Sequence, residues 1–129
     1  MNLQSEKSQV NKSAQELFEF LTNTANFKAL LPNDLTGFEV SEDSFKFSMS
    51  GMPAIRMIYT EKIPYTKVQL KAAGDAFPVF LTCSIKELSE RTCEAQLFFD
   101  GDINMMMAMM IKKPLQNLLD TLAEKMSLL

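Results

Sequence analysis

Histidine is absent from this 129-residue chain. Without it there is no Ser-His or Cys-His nucleophile pair and no imidazole metal ligand. Glycine is also scarce: Gly37, Gly51, Gly74 and Gly101 stand alone, and none belongs to a phosphate-cradling motif. The two cysteines, Cys83 and Cys93, give neither a disulfide framework nor a metal-ligand spacing. The longest unbroken apolar run, Met105 to Ile111, is far too short to span a bilayer. The opening residues, Met1 to Lys7, lack the apolar core of a signal peptide, so reduced thiols and a cytoplasmic location are expected. The net charge of −3 comes without a basic cluster. That excludes a nucleic-acid surface and a polybasic membrane anchor.

What is present is an ordinary globular composition, 47% apolar and 22% charged, sized for one domain over residues 1–129. Ser13-Ala14-Gln15-Glu16 has the form of a capping box, and Ala14, Leu17, Phe18, Leu21 and Ala25 follow at helical spacing. The spacing predicts a first amphipathic helix from Ser13 into the Asn23–Asn26 region, with a short continuation through Phe27, Leu30 and Leu31 that stops at Pro32. From Leu35 the period becomes two. Short runs around Phe38, Phe45, Met57, Leu70, Leu81 and Leu97 alternate apolar with polar residues, and turn residues such as Ser50-Gly51-Met52-Pro53 and Gly74-Asp75 separate them. One-sided alternation over hairpin-length connections predicts an antiparallel meander with one buried face, with Leu3 to Val10 as an added edge strand. Phe77 is expected to share the inward face of Val79, Leu81, Cys83 and Ile85. Past Gly101, Asp102 is expected to cap a final helix whose second half carries Leu115, Leu118, Leu119, Leu122 and Met126 on one stripe.

The order predicts an α+β fold: a curved antiparallel sheet of about seven strands, a short helix after the first strand, and a long C-terminal helix packed across the sheet. The segment Asn11-Lys12-Ser13-Ala14-Gln15-Glu16-Leu17-Phe18, followed by Asn26-Phe27 and Leu30-Leu31-Pro32, resembles the START-like, Bet v 1-like (SRPBCC) superfamily and its helix-grip fold. The resemblance implies a hydrophobic cavity gripped between sheet and terminal helix. It implies no particular activity. The short chain, and Ser41-Glu42-Asp43-Ser44 in place of the glycine-rich loop of plant members, point to a smaller cavity than theirs, or none.

On this reading Phe47, Met57, Leu70, Leu81, Cys83, Leu97, Phe99, Met107 and Ile111 line a site for a small hydrophobic or lipid-like molecule, with Tyr59 and Glu61 as its polar groups. No catalysis, cofactor or metal is expected. A cyclase-like enzyme of the same superfamily is the alternative, with Glu61 or Tyr59 as the acid–base group. Two readings stand for Glu61. Alternation with Met57 and Tyr59 turns it inward, whereas a strand-end position lets it reach solvent or pair with a lysine. Arg56, Lys67, Lys71 and Lys86 fall on the polar face of the sheet, and the cysteines read as small core hydrophobes.

The methionines are the most unusual feature, five of the ten lying between Met105 and Met110. Extending the leucine stripe backwards turns Asn104, Met107, Ala108 and Ile111 to the sheet and Met105, Met106, Met109 and Met110 sideways or away. Pro114 predicts a kink or a helix restart. A kink there could also rotate some of the outward methionines inward. They are therefore either ordinary core or a lid over the cavity, or the contact surface of a homodimer or other protein partner.

Overall fold

The computed structural model of the chain describes residues 1–49, 54–73 and 79–129. Phe77 and the turns expected at Ser50-Gly51-Met52-Pro53 and Gly74-Asp75 lie outside the described residues. In chain order the elements are β1 (Asn2–Gln4), β2 (Ser8–Val10), α1 (Ala14–Leu21), a 3-10 helix η1 (Thr24–Ala29), β3 (Thr36–Val40), β4 (Ser44–Ser48), β5 (Ile55–Ile63), β6 (Lys67–Ala72), β7 (Val79–Glu87), β8 (Cys93–Gly101) and α2 (Met105–Ser127). The described strands form one antiparallel sheet in the order β1-β8-β7-β6-β5-β4-β3, with β2 continuing beside β8. Helix α2 lies across the inner face of this meander. This is the α+β helix-grip architecture.

Local chemistry explains the element ends. The Glu16 amide donates to Ser13 Oγ at 3.0 Å and the Ser13 amide to Glu16 Oε1 at 3.0 Å, which closes the capping box of α1. The same amide, helped by the hydroxyl, holds the Glu16 carboxyl below its ordinary pKa. Helix α1 stops at the Thr22 cap, and the continuation toward Pro32 is a separate 3-10 helix started by Asn23, whose side chain accepts from the Ala25 amide at 3.1 Å.

The N-terminal edge strand is broken in two by Ser5. Its hydroxyl accepts from the Leu97 amide at 3.0 Å and donates to the Glu6 carbonyl at 2.8 Å. Leu3 pairs with Phe99 but Ser8 with Ala95, so one extra residue enters the edge between them. A second irregularity, between Thr36 and Glu39, uses Gly37 at φ 64°, a left-handed conformation that a side chain would strain.

Cross-strand register keeps the apolar residues on one face. Phe45 opposes Met57, Leu70 opposes Leu81, Leu81 opposes Phe99, and Cys83 opposes Leu97. Over this face sit Leu115, Leu118, Leu119, Leu122 and Met126 from α2, with Leu17 and Leu21 from α1 and Phe27, Leu30 and Leu31 from the η1 region. Among the described residues no buried side-chain nitrogen or oxygen lacks a hydrogen bond. Nor is any helix there long and apolar enough to cross a membrane.

Helix α2 begins two residues later than Asp102 would place it. Asn104 is the cap, its Oδ1 accepting from the Met107 amide at 2.8 Å, and it is exposed rather than turned to the sheet. Pro114 sits inside a helix that runs unbroken from Met105 to Ser127. No restart occurs, although Pro114 has no N–H to offer the Met110 carbonyl.

Candidate functional site

Beneath α2 lies a narrow apolar seam with two small cavities. One, of about 20 Å³, is bounded by the sheet floor at Phe45, Phe47, Ile55, Met57, Val79, Leu81 and Phe99. Its roof is Phe27 and Leu31 from the η1 region with Leu115, Leu118 and Leu122 from α2. The other, of about 10 Å³, shares Phe27, Leu81 and Leu122 and extends under Leu21, Leu30, Val68, Leu70, Cys83, Leu97 and Met126. Among the described residues no polar group other than the Cys83 thiol lines either cavity. The larger is about the size of one water, but its described walls offer a water no hydrogen-bond partner. Small-molecule sites are commonly about 300–1,000 Å³. The grip is closed.

Aromatic side chains build one end of this seam. Phe27 and Phe45 stack with ring centroids 4.5 Å apart, and Phe45 stacks on Phe47 at 6.0 Å and on Phe38 at 6.2 Å. The Lys125 ammonium donates to the Leu31 carbonyl at 2.6 Å and to Asn33 Oδ1 at 2.7 Å, holding the end of α2 against the η1 region. Ser8 Oγ donates to the Ala123 carbonyl at 2.9 Å, and Gln116 Nε2 to the Gln4 carbonyl at 3.1 Å. All of these ties lie beyond Pro114.

The structure places the predicted lining residues in three groups. Phe47, Met57, Leu81 and Phe99 border the larger cavity; Leu70, Leu81, Cys83 and Leu97 border the smaller. Met107 and Ile111 pack on the core near the helix start but border neither. Tyr59 and Glu61 are not at the seam.

Two physical reasons move those last residues. Tyr59 is half-buried against Phe27, and its hydroxyl donates at 2.6 Å to the Leu21 carbonyl at the end of α1. It bolts the helix to the sheet, and burial raises its phenol pKa above the ordinary value. Glu61 is turned outward by a bulge. Tyr59 pairs with Leu70 but Glu61 with Gln69, so Thr60 is an extra residue and the alternation inverts past it. Glu61 then shares the outer face with Lys67 and pairs with it at 2.9 Å, while Lys62 turns inward to lie 4.3 Å from the Tyr59 ring centroid. The cyclase-like alternative thus loses both of its acid–base candidates from the cavity wall.

The remaining candidates are readily placed. Burial pushes the Cys83 thiol up to about 12, so it stays protonated. Cys93 is also buried and raised for the same reason, and it faces Glu87 rather than Cys83. On the outer face, Arg56 Nη1 donates to Ser44 Oγ at 2.9 Å, Lys71 lies over the Phe80 ring at 5.8 Å, and Lys86 stands opposite Glu94. Among the described residues no group of three or more acidic, cysteine or histidine side chains could hold a metal.

Sequence reasoning missed Phe27, Leu31, Phe45, Ile55, Val79, Leu115, Leu118 and Leu122 as walls of the larger cavity, and Leu21, Leu30, Val68 and Met126 as walls of the smaller. Alternation and the leucine stripe carried a signal for Phe45, Ile55, Val79 and the α2 residues. The sequence pattern puts Phe27 and Leu31 in a short helical continuation, but nothing in their spacing says which part of the sheet that segment covers.

Met105, Met106, Met109 and Met110 are 81%, 76%, 79% and 71% exposed. They occupy the side of α2 opposite Met107 and Ile111, pointing to solvent rather than over the seam.

No family model matches the sequence, and no curated protein is similar to it. Solved structures are similar in fold. Norcoclaurine synthase from Thalictrum flavum, in complex with dopamine and hydroxybenzaldehyde, is 11% identical, with a TM-score of 0.72 over 98% of this chain and 84% of that one. A START superfamily protein from Mycobacterium smegmatis is 11% identical, with a TM-score of 0.70 over 98% and 94%. The Aha1 dimer of Colwellia psychrerythraea is 20% identical, with a TM-score of 0.58 over 95% and 96%. At these identities the likeness is one of fold.

Proposed function

From a START-like helix-grip fold closed over an apolar seam, we propose that the protein binds one small hydrophobic or lipid-like molecule between the sheet and α2, without catalysing its conversion. The observation that carries this reading is the chemistry of the seam. Its described walls are apolar from end to end, save for a buried neutral thiol, and two cavities lie along it. Parting such a seam breaks apolar contacts, and an apolar guest restores them with its own surface. A guest of ordinary size needs α2 to shift away from the sheet, because the cavities are far smaller than a ligand. Selectivity then comes from shape, with Phe27, Phe45 and Phe47 forming a flat aromatic end wall. Two free cysteines, both buried, suit a reducing cytoplasm.

Native mass spectrometry of the purified protein, followed by titration with a fluorescent fatty-acid analogue, tests this reading. A retained apolar molecule or one-to-one binding of the analogue is expected. Val79→Ile adds one methylene, about the volume of the larger cavity, and should weaken that binding by roughly tenfold. If wild type binds nothing and Val79→Ile merely gains about 1 kcal/mol of stability, the cavities are packing defects and the reading fails.

A further inference from the structure

We infer that the first nine residues of α2 form a two-fold contact with a second copy of this chain, the two helices running antiparallel. Met105, Met109 and Lys113 form one i, i+4 row along the exposed side of α2, and Met106 and Met110 form the row beside it. Two such rows are the ridges that interlock when helices pack side by side. The four methionines, each at least 71% exposed, present on the order of 500 Å² of apolar surface, at the upper end of the largest patch on a typical monomer. With the flanking Ile103, Lys112 and Lys113, the face approaches the roughly 800 Å² that each partner contributes to a stable interface.

Charge selects the occupant. No acidic residue falls between Met105 and Leu119, while Asp102 precedes the helix and Lys112 and Lys113 close its first part. All three are exposed, and among the described residues none has an ion-pair partner. An antiparallel contact centred between Met107 and Ala108 sets Met105 against Met110 and Met106 against Met109 of the second copy. The antiparallel direction also brings the start of each helix, preceded by Asp102, to the end where the second copy carries Lys112 and Lys113, twice over by symmetry. The face is complementary to itself in shape and in charge. An anionic bilayer would satisfy the two lysines but would meet the carboxylate of Asp102 with like charge. Self-association of this face needs no guest in the seam beneath it.

Sedimentation velocity on the full chain, from low micromolar to several hundred micromolar, tests the contact. Wild type should shift from monomer to dimer over that range. Met106→Lys with Met110→Lys should remain monomeric throughout, its circular dichroism unchanged because both side chains are solvent-facing. Asp102→Lys alone and Lys113→Asp alone should each weaken the dimer by about tenfold, since symmetry doubles every like-charge pair. The combined exchange, Asp102→Lys with Lys113→Asp, should recover most of that loss. A wild-type chain that stays monomeric overturns the contact, whether or not it sediments with vesicles of anionic phospholipid. A dimer indifferent to the methionine substitutions, or a combined exchange that restores nothing, overturns it equally.

Discussion

Helix α2 is continuous in backbone but divided in chemistry, and its two parts do opposite things with apolar residues. After Pro114 it buries Leu115, Leu118, Leu119, Leu122, Ala123 and Met126, and three side-chain ties hold it to the rest of the fold. Before Pro114 it buries Ile111 and leaves four methionines in solvent. Both parts are rich in large apolar side chains, so composition does not separate them. Placement does. The later part lies over the sheet, where each leucine removes its own surface and that of the floor from water. The earlier part reaches the sheet along one side, and its other side waits for a second surface.

Substitutions can break or sharpen that contrast, and the largest effect belongs to the later part. Leu119→Ala should cost about 3 kcal/mol, measured by urea unfolding at a concentration where the chain is monomeric. A cost under about 1 kcal/mol would mean that α2 is not clamped on the sheet in solution. A smaller loss is expected from Lys125→Met, which keeps the stem but removes the ammonium from the Leu31 carbonyl and Asn33. About 1 kcal/mol is expected there, since the site is partly exposed and water competes for the same groups. The smallest effect belongs to the earlier part. Met109→Ala should change monomer stability by less than about 0.5 kcal/mol, because the side chain touches little in its own chain. A loss near that of Leu119→Ala would place Met109 in a packed core and erase the contrast.

Much of the fold was legible along the chain. Strand alternation marked the buried face from Phe45 to Phe99, and the leucine stripe marked the face of α2, because both patterns record which side of an element leaves water. The capping box at Ser13 was legible for the same local reason: donor and acceptor are three residues apart. What failed was non-local. The inversion at Thr60 is a mismatch of count between β5 and β6, and nothing within β5 announces it. Alternation alone therefore turns Glu61 inward, and it is the other reading, a strand-end carboxylate paired with a lysine, that matches its contact with Lys67. Tyr59 read as a free polar group because its partner, the Leu21 carbonyl, comes from another element.

By itself, then, the sequence determined the class of fold, the buried stripe of each regular element, and the exclusion of histidine chemistry, since each depends on residue type and period alone. Tertiary structure decided which candidates meet. It closed the seam to cavities of about 20 and 10 Å³, carried Glu61 to the outer face, and left uncovered the four methionines that the helical wheel turns outward. Cavity volume and contact are differences between surfaces brought together from distant parts of the chain, and no local pattern encodes such a difference.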